Sequence, residues 1–294
     1  MPVTVTSVFR YPVKSCRGER LETAVVEPWG LAGDRRWMIV NADGTFVTAR
    51  DHPHLVLVTP SIDNSNNLMR FTAPGLPELR VPVPSPHSAH SAKRIEVTVW
   101  GTKVLATLAD DQAAEWFTKI TEKPARLVYL DDPTRRAPDP EYSKDTDRVS
   151  FADGYPLLLV TEQSLERLND WIFEGPHAAE GPLPVTRFRP NVVVEGAAAF
   201  TEDGWKRIRI GDVPFRVAKG CDRCVFTTID PETAAKSKEP LVTLAKHRRW
   251  DGKIWFGVNL IPDLAPGVPA VPGVPAVPGA TAVIRPGDPV QVLG

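Results

Sequence analysis

The chain has 294 residues, of which 42% are hydrophobic and 24% charged, and its formal net charge at pH 7 is −1. This composition is typical of a globular protein long enough for two domains. The near-neutral charge argues against a general binder of nucleic acid or anionic membranes, because such proteins accumulate positive charge. The three cysteines cannot supply the four thiolates of a conventional iron–sulfur cluster, so electrons for any redox chemistry must come from another protein.

The start of the chain, MPVTVTSVFRYPVKSC, lacks the charged beginning and the apolar stretch of a secretory signal. No apolar run elsewhere reaches the ~20 residues that cross a bilayer. The odd number of cysteines also fits a reducing compartment, because it leaves no complete disulfide framework. We therefore expect a location in the cytoplasm and no contact with a membrane.

The first hundred residues predict strands separated by turns. The β-rich runs are VTVTSVFRYPV, RWMIVNADGTFVTAR, HLVLVTPSI, LMRFTA and RIEVTVWGTKVLATL. Within NADGTF, the pair Asp43 and Gly44 indicates a hairpin, because an Asp-Gly pair suits the positive φ of a tight turn. We expect a barrel or curled sheet over residues 1–108.

A helix is predicted to begin at Asp110 or Asp111 and to connect the two halves over residues 109–122. Its apolar positions on one face are Ala113, Trp116, Phe117 and Ile120. The second domain, residues 109–294, alternates strands with short helices. Its strongest helix signal follows Thr161, which is a good N-cap residue with Ser164 early in the helix.

Further strands are predicted in ARLVYL, YPLLLVT, RFRPNVVVEG, WKRIRIGDVPFRVAKGC and RCVFTTID, with a short helix in EPLVTLAKHRR. The repeat PGVPAVPGVPAVPGA, in the Pro/Gly/Val-rich segment 266–280, indicates a semi-extended loop, because proline cannot continue a helix or a central strand. The closing AVIRPGDPVQVLG is expected to pair back into the second sheet. The fold class is therefore mostly β with helices (α+β).

Four short stretches combine cations with small polar residues at strand ends and turns, where they can converge on an anion. The stretches are RYPVKSCRG with Lys14, Ser15, Cys16 and Arg17, GLAGDRRW with Arg35 and Arg36, RFRPN with Arg187, Arg189 and Asn191, and CDRC with Arg223. Any one of these arginines alone is typical of a solvated surface charge. Their placement beside Pro, Gly and apolar residues favours a shared anion site instead.

The pair Cys221 and Cys224 admits several chemistries. A structural zinc site needs four ligands, but no second cysteine pair is present, and His52 and His54 lie in a Pro-rich turn. A thioredoxin-type dithiol requires a helix after its first cysteine, whereas the β-branched VFTTI predicts a strand. A single thiolate in an electropositive setting, acting as a ligand of a soft metal or as a nucleophile, is the interpretation that the residues favour.

The stretches YPVKSCRG, GLAGDRRWMIVNADGTFVTAR, RFRPNVVVEG, CDRCVFTTIDPET and PGDPVQVLG, in this order, resemble the MOSC-domain family with an N-terminal MOSC β-barrel domain. This group includes mitochondrial amidoxime-reducing components and bacterial reductases of N-hydroxylated bases. The resemblance implies an N-terminal β-barrel domain followed by a MOSC β-barrel domain. It also implies a molybdenum cofactor, a pterin dithiolene with a terminal phosphate.

By this resemblance, Cys224 is the molybdenum ligand and the catalytic centre, while Cys221 is secondary. The cofactor-binding positions that the resemblance implies are Lys14, Ser15, Arg35, Arg189 and Asn191, with Thr161 and Ser164 aligning less directly. Arg36, Arg187 and Arg223 are weaker candidates. Cys16 is expected to be a small buried residue, and Asp230 is expected to cap a turn.

The implied activity is reduction of N-hydroxylated or N-oxide substrates by removal of oxygen at the metal, with a separate electron-donor protein. A different function for the same residues is a carrier of molybdenum cofactor or sulfur, or a sulfurtransferase, with a persulfide on Cys224. A third is a binding module without catalysis. Some bacterial relatives carry a ferredoxin-like domain after the MOSC domain, and none is expected here because the sequence runs only to Gly294.

Overall fold

Strands dominate residues 2–63, 65–84, 93–264 and 282–294, the parts of the chain that this computed structural model describes. The strands are β1 Val3–Arg10, β2 Glu19–Leu21, β3 Ala24–Glu27, β4 Gly30–Leu31, β5 Trp37–Asn41, β6 Thr59–Asp63, β7 Leu68–Ala73, β8 Leu76–Pro82, β9 Arg94–Val99, β10 Thr102–Leu108, β11 Ala125–Tyr129, β12 Leu157–Thr161, β13 Val192–Glu195, β14 Arg207–Ile210, β15 Val213–Asp222, β16 Arg249–Trp250, β17 Lys253–Pro262, β18 Val283–Ile284 and β19 Pro289–Val292. The α-helices are α1 Asp111–Thr121, α2 Glu162–Phe173 and α3 Leu241–His247. The mostly-β fold class predicted from the sequence is confirmed.

Seven strands close into a barrel in the order β12, β13, β1, β19, β14, β15 and β17, and β17 pairs back with β12. The pairings β1 with β13 and β12 with β17 place Val8 opposite Val192 and Leu157 opposite Leu260. All four of these side chains are buried in one core. Closure leaves none of these seven strands as an unpaired edge, which would otherwise invite aggregation.

The other unit, called the first unit because most of it comes earlier in the chain, combines the sheet β5–β11–β10–β9 with the sheet β6–β7–β8 and helix α1. Helix α1 begins where the Asp110 side chain accepts a hydrogen bond from the Ala113 amide. It buries Trp116 and Phe117 against Phe71, with the two phenylalanine rings edge to face at 5.3 Å. These aromatic contacts fix the helix on the sheets.

The structure corrects the predicted division of the chain into residues 1–108 and 109–294. Helix α1 is not a connector between the units, because its apolar face belongs to the core of the first unit. Strand β11 pairs with β5 and β10 of that same unit. At the other end, β1 belongs to the barrel, where it lies between β13 and β19.

Most local predictions are confirmed. Thr161 caps α2 by accepting a hydrogen bond from the Ser164 amide, and β19 pairs back into the barrel. Two runs predicted as strand are 3-10 helices, Pro53–Leu57 and Val225–Thr228. Other 3-10 helices are Pro133–Arg135, Pro140–Tyr142, Ala178–Glu180, Val185–Phe188 and Thr201–Gly204. The loop predicted at 266–280 lies outside the described residues.

Within the described ranges, none of the helices combines the length and the apolar character that crossing a bilayer requires.

Candidate cofactor and substrate site

A cavity lies where the barrel meets the first unit, and it gathers side chains from all four stretches singled out in the sequence. Its predicted members are Lys14, Ser15, Arg35, Arg189, Asn191 and Cys224. Its other polar members include Thr48, Arg50, Asp153, Tyr155, Asp222, Arg223 and Asn259. The cavity therefore joins residues that are more than two hundred positions apart in the chain.

Asn191 is the buried anchor of this cavity. Its side-chain oxygen accepts hydrogen bonds from the Leu158 amide at 3.2 Å and from Arg35 Nη1 at 2.9 Å. Its side-chain nitrogen donates to the Phe9 carbonyl and to Asp34 Oδ1, each at 3.1 Å. Because the full hydrogen-bonding capacity of the amide is used inside the protein, Asn191 orients Arg35 rather than reaching for a ligand itself.

Arg35 is held by a network of fixed acceptors. Its Nη1 donates to Asp34 Oδ2 at 2.6 Å, and Asp34 is almost fully buried. Its Nη2 donates to the Arg189 carbonyl at 3.3 Å. A guanidinium positioned this way presents a charge at the cavity without the entropy cost of ordering it on binding.

Arg189 lies beside Arg35 and shares the Tyr11 ring with it. The guanidinium carbons of Arg35 and Arg189 lie 4.6 Å and 4.2 Å from the Tyr11 centroid. Arg189 also donates to the Cys16 carbonyl. Burial lowers the pKa of Arg189 to about 10, with the neighbouring Arg35 adding to the effect. Arg35 and Arg189 contribute two positive charges to this wall, and the buried Asp34 carboxylate contributes one negative charge. The cavity wall therefore has a net positive charge.

Lys14 provides a further cation in the lining. Its ammonium donates to the Phe151 carbonyl at 2.9 Å and pairs with Asp153. Burial lowers the pKa of Lys14 to about 8, against the opposing effect of Asp153. An ammonium has three N–H donors, so one remains for a ligand after these two contacts.

Three of the predicted residues have left-handed backbone conformations. The φ angles are 70° at Ser15, 46° at Arg35 and 57° at Arg189. Side-chain-bearing residues avoid this region, and such strain is concentrated at functional sites. The strain supports a functional role for these three turns.

The two cysteines of the CDRC element differ in their surroundings. Cys221 is partly buried at the end of β15, and Arg223 Nη1 lies 2.9 Å from its sulfur. Burial raises the pKa of the Cys221 thiol, although Arg223 opposes this effect. Cys224 is exposed in the cavity lining, and its thiol makes no hydrogen bond to any described residue. Cys224 is therefore the thiol that is available to a ligand.

The structure does not bring Thr161 or Ser164 to the cavity, contrary to expectation. Both are fully buried at the start of α2. The Ser164 hydroxyl donates to Glu202 Oε1 at 2.7 Å, and the Thr161 hydroxyl lies 2.6 Å from Ser164 Oγ. Their hydroxyls are committed to a buried carboxylate, so they support α2 instead of binding a ligand in this cavity.

The weaker candidates have structural partners. Arg36 donates to the Leu130 carbonyl at 2.9 Å, and Arg187 pairs with Asp230 at 3.0 Å. Asp230 also accepts hydrogen bonds from the Glu232 and Thr233 amides, which is the turn-capping role predicted for it. Cys16 is fully buried in the core of the first unit, as expected, and burial raises its pKa to about 12.

Four residues of the site and its immediate surroundings were not predicted from the sequence: Asp153, Tyr11, Thr48 and Arg50. Asp153 lies in SFADGYP, immediately before β12, where an aspartate between Ala and Gly looks like an ordinary turn residue. Tyr11 lies in YPVKSC, the stretch that also contains Lys14 and Ser15. This position could have identified it, but the prediction concentrated on the cations.

The two units match known domain families. Residues 2–124 match the MOSC N-terminal beta barrel domain, and residues 146–291 match the MOSC domain. The chain belongs to the MOSC-domain family. Its curated relatives include mitochondrial amidoxime-reducing component 1 of Danio rerio, which is 36% identical over 260 residues, 85% of this chain and 76% of the relative.

Two mammalian relatives of this MOSC-domain chain are comparable. Mitochondrial amidoxime-reducing component 1 of Homo sapiens is 33% identical over 84% of this chain and 73% of the relative. Mitochondrial amidoxime reducing component 2 of Rattus norvegicus is 34% identical over 85% of this chain and 74% of the relative. The similarity therefore extends across both units.

Proposed function

We propose that this chain is a molybdenum-cofactor-dependent reductase of N-hydroxylated or N-oxide compounds. The observation that carries the proposal is the exposed Cys224 thiol in a cavity whose wall holds Lys14, Arg35 and Arg189. The relatives named as amidoxime-reducing components support the reaction class. A thiolate is a suitable ligand for a soft metal, and fixed cations are suitable partners for a phosphate.

The side chains present fit such a cofactor by their chemistry. Arg35 and Arg189 are held in place by buried acceptors before any ligand binds, and one N–H of the Lys14 ammonium is left for a ligand. These three residues would hold the phosphate, with Ser15 beside them in the lining. The cofactor, when bound through Cys224, supplies the two-electron reduction that removes oxygen from an N–O bond.

The chain itself then has three tasks. Arg35 and Arg189 hold the anionic end of the cofactor, and Asn191 keeps Arg35 in position. Cys224 would be the protein ligand of the metal and would tune its electronic properties. The mixed lining of the cavity leaves room for substrate beside the thiol. We expect the electrons to come from a donor outside residues 1–294, since the three cysteines of these residues are too few for a conventional cluster.

Metal analysis combined with a dye-driven assay tests the proposal. Full-length protein from a host that makes the cofactor is expected to contain about one molybdenum per chain and to reduce an amidoxime. Cys224→Ala is expected to lose this activity by more than about a hundredfold, because the metal loses its only protein thiolate. Cys221→Ala is the matched control, and it should keep most of the molybdenum and activity.

Full activity in Cys224→Ala would overturn the assignment of the ligand. Labile sulfane sulfur on Cys224, without turnover of any N-hydroxylated compound, would favour the sulfur carrier. Cofactor uptake with neither property would favour a pure binding module. The cytoplasmic location predicted from the sequence stays a prediction, because the relatives are named mitochondrial, and cell fractionation checks it.

A further inference from the structure

Asp153 is a carboxylate in a cavity whose charged lining residues are mostly cations. Its Oδ1 pairs with Lys14 Nζ and accepts a hydrogen bond from Trp100 Nε1 at 3.0 Å. Its Oδ2 accepts no hydrogen bond from the part of the chain that the structure describes, and the side chain is 67% exposed although Asp153 lines the cavity. The contacts of Oδ1 therefore hold the carboxylate in position, and Oδ2 is open to a ligand.

The other carboxylate in the lining is differently placed. Asp222 Oδ1 lies 3.6 Å from Lys219 Nζ, at the end of β15 that leads into Cys224. Asp153, in contrast, contacts Trp100 of the first unit, from which Thr48 and Arg50 also reach the lining. The two carboxylates thus have different partners, and Asp222 provides an internal control for Asp153.

Trp100 lies beside Asp153, to which it donates a hydrogen bond, although it is not itself one of the residues that line the cavity. Half of its surface is exposed, yet its ring packs 5.2 Å from Phe46, and the Arg50 guanidinium lies 4.6 Å from its centroid. Trp100 has a φ of 50° in the two-residue turn between β9 and β10, where Gly101 follows with a φ of 81°. Such turns favour Asn or Gly at the first position, so a tryptophan there carries a conformational cost.

We propose that Asp153 and Trp100 form a subsite for the amidine nitrogen of the substrate and product, on the cavity side nearest the first unit. Asp153 Oδ2 accepts an N–H from the amino group of an amidoxime, and the planar group lies against the Trp100 ring. This inference rests on the proposed reductase function. It adds a recognition element for one substrate class, compounds that carry an N–H beside the N–O group.

The product fits the same subsite more tightly than the substrate. Reduction of an amidoxime consumes two electrons and two protons, releases water and leaves an amidine, which takes a further proton at neutral pH to become a planar cation. A cation with N–H donors pairs with a carboxylate through a charge-assisted hydrogen bond, which is stronger than a neutral one. Trp100 supplies an aromatic face for the same cation.

Calorimetric titration of the full-length protein with benzamidine tests the subsite without any turnover. Asp153→Asn is expected to weaken benzamidine binding at least about tenfold, since a hydrogen bond to a charged group is lost. Asp222→Asn, the matched control, should bind within about twofold of wild type. Trp100→Ala should also weaken binding, and it reports on the subsite if Asp153→Asn does not fold.

A pair of substrates gives a second readout. Wild type is expected to reduce benzamidoxime with a higher kcat/KM than its N,N-dimethyl counterpart, which lacks the N–H, and Asp153→Asn should reduce this ratio several-fold. Any effect of Asp153 on Lys14 and the cofactor cancels in the ratio, because both substrates use the same centre. Equal benzamidine affinity in wild type and Asp153→Asn, or an unchanged ratio, would overturn the subsite.

The two proposals fail separately. If benzamidine binds through Asp153 but no N-hydroxylated compound is reduced by molybdenum-loaded protein, the reductase function is wrong and the amidine subsite stands. If amidoximes are reduced but the affinity for benzamidine does not depend on Asp153, the reductase function is supported and the proposed subsite is wrong.

Discussion

Single residues determine how the cavity is built before any ligand arrives. The guanidiniums of Arg35 and Arg189 both lie over the Tyr11 ring, and Gly18 packs so closely that a Cβ there would overlap the ring. The buried Tyr11 hydroxyl has no hydrogen-bond partner within the described residues. The tyrosine therefore contributes through its ring, while its hydroxyl adds a desolvation cost.

Substitution of Tyr11 separates the contribution of the ring from that of the hydroxyl. Tyr11→Phe keeps the ring and removes the hydroxyl, so its free energy of unfolding is expected to stay within about 1 kcal/mol of wild type. Tyr11→Leu removes the cation–π contacts and should lower both the stability and the molybdenum content. Urea unfolding and metal analysis measure the two effects. A large loss of stability in Tyr11→Phe would contradict this assignment of roles.

Asn191 gives a second prediction at the scale of one side chain. Asn191→Ala leaves the Leu158 amide and the Phe9 carbonyl without the partner that they have in the native protein. We expect a loss of about 2–4 kcal/mol in the free energy of unfolding, because buried polar groups without partners are costly. Asn66→Ala, on an exposed turn, should change it by less than about 0.5 kcal/mol.

Residue types indicated the four stretches that form this site, and the resemblance to the MOSC-domain family selected residues within them. Lys14, Ser15, Arg35, Arg189, Asn191 and Cys224 all reach the cavity, because each follows a turn or strand end that the sequence marks. Asp153 was missed because an aspartate in a loop has the same local pattern whether it caps a turn or faces a cavity. The contact that distinguishes it is the one with Lys14. These two residues are 139 positions apart, so the local sequence does not reveal the contact.

Among the elements, α2 has an unusual beginning. Glu202 is fully buried beneath it and accepts hydrogen bonds from Thr161 and Ser164. Burial raises the pKa of Glu202, although the Ser164 hydroxyl opposes this effect. The folded state consequently binds a proton at Glu202 at pH values where the unfolded state has already released it. Between the ordinary pKa of about 4.3 and the raised value, stability therefore falls as pH rises.

Glu202→Gln removes this titration and keeps one acceptor oxygen for Ser164. We expect the variant to lose the part of the decline in stability between about pH 4.3 and neutrality that Glu202 causes. Urea unfolding at several pH values measures the slope. A variant with the same pH dependence as wild type would show that Glu202 does not cause it. Asp203→Asn, at the neighbouring and less buried carboxylate, is the matched control.

Helices and strands differ in how far local sequence predicts them. The amphipathic pattern and caps of α1 and α2 are local, and both helices were predicted. The run VFTT was predicted as strand from its β-branched residues, yet it forms a 3-10 turn. Thr227 and Thr228 donate their hydroxyls to the Cys224 and Val225 carbonyls, and these local bonds compete successfully with strand pairing.

At the scale of the whole molecule, the chain crosses between its two units. Strand β1 lies in the barrel, whereas the residues after it pack into the first unit and line the cavity. Pairing of β1 with β13, nearly two hundred positions later, leaves no local trace in sequence, because the antiparallel register is set by long-range contacts. For this reason the sequence assigned β1 to the first domain, whereas the structure shows it in the barrel.

This arrangement predicts how fragments behave. A fragment of residues 146–294 lacks β1, so the edges of β13 and β19 are unpaired, and we expect it to aggregate or to show no cooperative thermal unfolding. Fusion of residues 2–10 to this fragment through a flexible linker should restore a cooperative transition, measured by circular dichroism. A stable, monomeric 146–294 fragment would contradict an essential role of β1 in the barrel.

The position of β19 between β1 and β14 also has a consequence for the order of folding. The ring of strands is complete only when Pro289–Val292 has paired with both neighbours. A chain synthesised only as far as Cys224 therefore already contains Lys14, Arg35 and Arg189, but it lacks β17 and β19 of the barrel. The cavity walls consequently reach their final positions late in folding, after the last strand of the barrel has joined the sheet.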